Sequence, residues 1–128
     1  MKEIENRIDI EILMEAFYNK ALTDEVIGYF FTEVAPLNMA THMPLIVNFW
    51  ETVLFDKALY KGNVLQVHQH IHALSAFRDE HFTRWVSLFT QTVNELFTGD
   101  KAEMAKQRAE SIATIMRIKT IHSGTGIK

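Results

Sequence analysis

Val64-Leu65-Gln66-Val67-His68-Gln69-His70-Ile71-His72 is the stretch whose reading decides the fold. As a strand, its period of two puts His68, His70 and His72 on one face, a plausible metal triad. As a helix, 100° per residue separates them. Val64, His68 and Ile71 then lie within about 30° of a common midpoint, with Leu65 and Val67 on the flanks. His72 falls on the rim of that arc, and His70 points away beside Gln66. The helical reading aims a single imidazole, His68, into a core.

Composition favours the helix. The chain has 128 residues, 48% of them apolar, enough for one domain with a real core, residues 1–128. Its 16 acids against 13 bases, with no basic run, argue against nucleic acid as a partner. Cysteine is absent, which excludes disulfides, thiolate chemistry and Cys-ligated zinc or iron–sulfur sites. The N-terminus alternates charge and lacks a signal-peptide core, and no apolar run approaches the ~20 residues that span a bilayer. The expectation is a cytoplasmic protein without membrane contact. Two prolines and five glycines, with no Asn-Gly or Asp-Gly turn, leave long 3.6-period segments joined by short breaks. That pattern reads as all-α.

Outward from the histidines, the first helix is expected from about Asp9, a good cap, to about Leu22, with Ile10, Leu13, Met14, Phe17 and Ala21 as its stripe. Tyr18 sits at the stripe's edge, where a tyrosine commonly packs its ring inward and offers its hydroxyl to water. Thr23-Asp24-Glu25 caps a short, aromatic piece from Val26 to about Val34. Thr41 is a candidate cap for a third helix, with Pro44 in its first turn and a seam of His42, Leu45, Ile46, Phe49, Trp50 and Val53. Glu51 is placed on the solvent side. Asp79 can cap a long helix striped by His81, Phe82, Trp85, Leu88, Phe89, Thr92, Val93 and Leu96. Gly99 ends it, and Asp100-x-x-Glu103 reads as a capping box for the last helix. That helix buries Ala102, Ala105, Ala109, Ile112, Ala113 and Met116. Residues 1–7 and 122–128 are expected to be loosely ordered tails.

Three constellations can use these residues. A histidine triad on a strand fails for want of any sheet to hold it. A helical metal site would pair His68 with His72 and borrow carboxylates from other helices, but the Glu-x-x-His spacing of di-iron bundles is absant from these seams. A haem pocket needs one neutral imidazole on iron, a slot walled by aromatics and aliphatics, and crossing helices. His68 and the aromatic seams meet that description. A helical interaction domain, with every aromatic in the core, stays open beside it.

A more specific signal lies in order and spacing. Phe17-Tyr18 is followed by Gly28-Tyr29-Phe30-Phe31, then by His42 seven positions before Phe49-Trp50. Tyr60-Lys61-Gly62-Asn63 precedes His68, and His81-Phe82-x-Arg84-Trp85-x-x-Leu88-Phe89 closes the pattern. In this the chain resembles the truncated haemoglobins, specifically their third group, over nearly its full length. The Gly-Gly pairs of other truncated groups are missing, and Ala73 to Arg78 departs from the family in lacking the proline common in that loop.

The resemblance implies a truncated globin fold, a two-over-two helical sandwich around haem b (iron protoporphyrin IX). It implies His68 as the proximal iron ligand and Tyr18, His42 and Trp85 as distal polar residues, His42 as a gate to ligand entry. Phe31, Phe49, Trp50, Leu54 and Phe89 are implied pocket walls, and His72 and His81 candidate contacts of a haem carboxylate. Implied partners are O2, NO or CO and a reductase, with NO dioxygenase or peroxidase-like redox chemistry as the class of activity. The expected assembly is a monomer or weak dimer.

Overall fold

A computed structural model describes residues 1–34, 39–55 and 78–124, with side chains through residue 118. Among the described residues are four helices: α1 (Arg7–Ala21), α2 (Met39–Phe55), α3 (Asp79–Leu96) and α4 (Asp100–Gly124), with a π-helical turn, Phe30–Val34, between the first two. Packing of α1 on α2 and of α3 on α4 makes two layers, which meet where α1 crosses α3 and α2 reaches α4. This is the two-over-two sandwich expected of a truncated globin.

The first helix begins two residues earlier than expected. Asn6, not Asp9, is its cap, and its side chain accepts from the Asp9 amide at 3.0 Å. Asp9 instead turns back to take Lys2 Nζ at 2.6 Å and the Glu5 amide at 2.8 Å. The predicted stripe of Ile10, Leu13, Met14, Phe17 and Ala21 is buried throughout.

α2 departs more sharply. It is already helical at Met39, ahead of Thr41, so Pro44 lies in its second turn rather than its first. Its buried face is Ile46, Val47, Trp50, Glu51 and Leu54, whereas Leu45, placed in the seam by periodicity, is 55% exposed. Glu51 is only 5% exposed because Arg7 reaches across from α1, donating to its Oε1 at 2.8 Å and to Asn48 Oδ1 at 2.6 Å. A paired carboxylate tolerates burial that an unpaired one would not.

Among the described helices the α3–α4 interface is the most extensive. Ala102, Ala105, Ala109 and Ala113 line the buried side of α4, small enough for close approach, and Met116 ends the row. The expected capping box at Asp100 is replaced by a longer-range cap. Glu3 Oε1 accepts from the Lys101 and Ala102 amides at 2.9 and 3.3 Å. Residues 1–7 are therefore no loose tail: Ile4 is in the core, Lys2 pairs with Phe97, and Thr98 N–H donates to the Lys2 carbonyl at 2.8 Å. At the other end α4 is helical to Gly124, inside the stretch 122–128 expected to be a loose tail, and residues 125–128 lie outside the described residues.

Gly99 makes the α3–α4 corner possible. Its φ is +105°, and the Glu3 carboxylate occupies the space a Cβ would need. Gly99→Ala is expected to cost about 1–3 kcal/mol of stability. Urea denaturation checks this, and an unchanged midpoint would refute the close fit of Glu3.

Candidate functional site

Between the two layers lies a cavity of about 20 Å³, lined by Met14, Phe17, Tyr18, Ile46, Phe49, Trp50, Trp85, Phe89 and Ile112. That is room for one water-sized guest. All four described helices contribute, and no lining residue carries a formal charge. Phe17 holds the centre from α1. Its ring meets Tyr18, Phe89 and Trp85 edge-on, at centroid distances of 5.1, 5.5 and 6.0 Å. Phe89 in turn is stacked between Trp50, at 4.9 Å, and Trp85, at 6.0 Å. Edge-to-face and offset stacking are the favoured geometries of such rings.

Tyr18 is the polar feature of this aromatic box. Only 6% exposed, it does not offer its hydroxyl to water, as an edge tyrosine commonly does. Its Oη lies 2.9 Å from Nε2 of His42, with the two rings crossed at 88° and 5.4 Å apart. Burial pushes the Tyr18 phenol well above its usual value and pulls His42 below 6.5, so both groups are neutral near pH 7. The pair has two proton arrangements. With the phenol donating, His42 carries its proton on Nδ1. With Nε2–H donating, the phenol keeps its own proton for another acceptor.

Phe31 packs edge-on against Tyr18 at 6.2 Å. It is delivered by the turn after α1, in which Asp24 Oδ2 accepts from the Val26 and Ile27 amides at 2.9 and 3.2 Å. Gly28 follows, and a Cβ there would come within 2.8 Å of the Leu22 carbonyl oxygen. This close approach lets the chain reverse tightly into Phe30 and Phe31.

The structure thus brings together Tyr18, His42, Trp85, Phe31, Phe49, Trp50 and Phe89. Leu54 is buried at the end of α2, outside the cavity lining, where its carbonyl accepts from Lys101 Nζ at 2.7 Å. His81 sits at the start of α3, its Nδ1 accepting from the Arg78 amide at 2.8 Å and its ring 4.7 Å from Phe30. His68, His70 and His72 lie outside the described residues. Met14, Phe17, Ile46 and Ile112 join the lining without having been singled out for it; each stood in an apolar stripe, and a stripe does not say which of its members border a void. Among the described residues, no three His, Asp or Glu side chains gather as a metal site, and no helix is long and apolar enough to cross a membrane.

An aromatic cavity with a tyrosine–histidine pair, set between two layers of paired helices, defines a small globin-like protein. No protein-family model matches the chain. A curated relative, the group 3 truncated hemoglobin ctb of Campylobacter jejuni, is 30% identical over 112 residues, 85% of this chain and 86% of the relative. The crystal structure of a group III truncated hemoglobin from Campylobacter jejuni superposes with a TM-score of 0.78 at 30% identity, covering 94% of this chain and 95% of that one. The chain belongs to the group III truncated haemoglobins.

Burial lowers both His42 and His81 relative to 6.5, and Phe30 and the first turn of α3 enclose the latter. Just below pH 6.5 the unfolded chain therefore binds more protons than the folded one, and stability falls as pH drops. The thermal midpoint should decline between about pH 7 and pH 5. His42→Gln should flatten that decline; an identical slope in the variant would remove His42 as a contributor.

Proposed function

We propose that this protein binds haem b and takes up diatomic gases, O2, NO or CO, against the Tyr18 and Trp85 side of its cavity, with His42 behind Tyr18. The observation that carries the reading is Tyr18, backed by a neutral hydrogen bond to His42, lining an aromatic, uncharged cavity of one-guest size. Membership in the truncated haemoglobins supplies the cofactor class. The cavity, at about 20 Å³, suits the gas rather than the macrocycle, and its neutral donors suit a guest that is polar without being an anion. His68 would ligate the iron, Phe31, Phe49, Trp50, Leu54 and Phe89 would wall the macrocycle, and His72 would reach a haem carboxylate.

When bound, haem supplies the iron to which a gas coordinates. The chain's own part is electrostatic. Tyr18 and Trp85 carry hydrogen-bond donors on the cavity lining, in surroundings of low dielectric where fixed donors act strongly. A donor that meets developing negative charge on a guest contributes about 1–3 kcal/mol. His42 governs how much of that Tyr18 can deliver. When Nε2–H points at Tyr18 Oη, the phenol proton is available to the guest; when the phenol donates to His42, it is not. Movement of His42 would also open the cavity, the gating role. Such a pocket holds O2 tightly, which suits oxygen-, NO- or peroxide-linked redox work with a reductase partner better than transport.

Purified protein is expected to show a strong Soret band, and His68→Ala to lose the normal five-coordinate ferrous spectrum. A colourless protein that refuses added haem would overturn the reading and favour a helical interaction domain. Replacing Tyr18 with Phe should speed O2 release by about tenfold or more, the loss of one charge-directed hydrogen bond. Stopped-flow rates equal to those of the parent protein would eliminate Tyr18 as a donor.

A further inference from the structure

We propose that the Asp24–Arg84 ion pair is a positioning clamp that sets how Trp85 meets Tyr18 across the cavity. The inference rests on the gas-binding reading for its functional consequence, and on geometry alone for its structural one.

Asp24 lies just beyond α1 with its side chain 4% exposed, and both of its oxygens are engaged. Oδ2 closes the turn through the Val26 and Ile27 amides, while Oδ1 accepts from Arg84 Nε at 2.8 Å and Nη2 at 2.6 Å. One carboxylate thus joins the turn that delivers Phe31 to the α3 residue adjoining Trp85. A second tie lies beside it: Phe30 packs on His81, one helical turn before Trp85. Two attachments three residues apart on α3 fix its rotation about its own axis as well as its height against the turn.

From there two routes of contact converge on Tyr18. Trp85 touches Phe17, and Phe17 touches Tyr18. On the other side, Asp24 holds the turn whose Phe31 abuts the Tyr18 ring. Neither Asp24 nor Arg84 lines the cavity, so both act through other residues. Arg84 has a side chain 43% exposed, and an ordinary surface pair of that kind contributes little. This one differs because its acceptor is nearly buried and because two guanidinium nitrogens share it. A planar fork fixes direction, which a lysine ammonium cannot.

The test uses the full chain carrying Arg84→Lys, Arg84→Gln, Asp24→Asn, or the last two together. Two readouts are taken: the indole 1H–15N resonance of Trp85 in protein as purified, with Trp50 as internal reference, and the O2 release rate of haem-loaded protein. The clamp predicts that all four variants move the Trp85 resonance and leave that of Trp50 in place. It also predicts O2 release roughly three- to tenfold faster, as a displaced donor weakens its hydrogen bond. The double variant should match the single ones, since each breaks the same contact. Variants that lose thermal stability but keep the parental Trp85 resonance and release rate would reduce the pair to a structural tie and overturn the proposal. Should the protein take up no haem, the gas-binding reading fails by itself, and the Trp85 resonance still decides the clamp.

Discussion

The edge-to-face packing of Phe17 is the contact on which the rest of the molecule depends. From the middle of α1 it touches Tyr18 on its own helix and Trp85 and Phe89 on α3. It is both the seam between the two helical layers and the floor of the cavity. Removing such a ring typically costs 3–5 kcal/mol, a large share of the ~5–15 kcal/mol that keeps a domain folded. An exposed ion pair typically contributes about 0–1 kcal/mol. The aromatic cluster therefore decides where the layers sit, and the polar groups are arranged around it.

Among the described residues, several polar side chains enter the interior in pairs. Arg7 accompanies Glu51, His42 accompanies Tyr18, and Arg84 accompanies Asp24. An unpaired buried donor or acceptor costs about 1–3 kcal/mol, so each partnership removes a penalty more than it adds attraction. The consequence is specificity. Each pair joins different segments, α1 to α2 in the first two cases and the post-α1 turn to α3 in the third, and each holds only in one register. The Tyr18–His42 pair differs from the others in being uncharged, and its Tyr18 lines the cavity.

The N-terminal segment shows the same economy of contact at the opposite end of the fold. Glu3 caps α4, Lys2 pairs with Phe97, and Gly99 supplies the backbone conformation that lets the carboxylate approach. The cap comes from almost the whole chain length away. Its anion sits at the positive end of a helix, where it is most stabilising.

By itself the sequence determined the all-α class and the inward faces of α1, α3 and α4, because their apolar residues recur at the helical period and burial of such stripes is a local property. The order and spacing of Phe17-Tyr18, His42, Phe49-Trp50 and Trp85 also pointed to the family and to several residues that line the cavity. Periodicity misjudged α2, placing Leu45 in the seam and Glu51 in solvent, since the arginine that makes Glu51's burial tolerable lies 44 residues away. It likewise missed that Tyr18 bonds His42, 24 residues distant, and that Glu3 caps α4, 98 residues from Lys101. A helical pattern records which residues are apolar. Only the tertiary structure decides which polar residue finds a partner, because pairing depends on distances between helices that no single stretch contains.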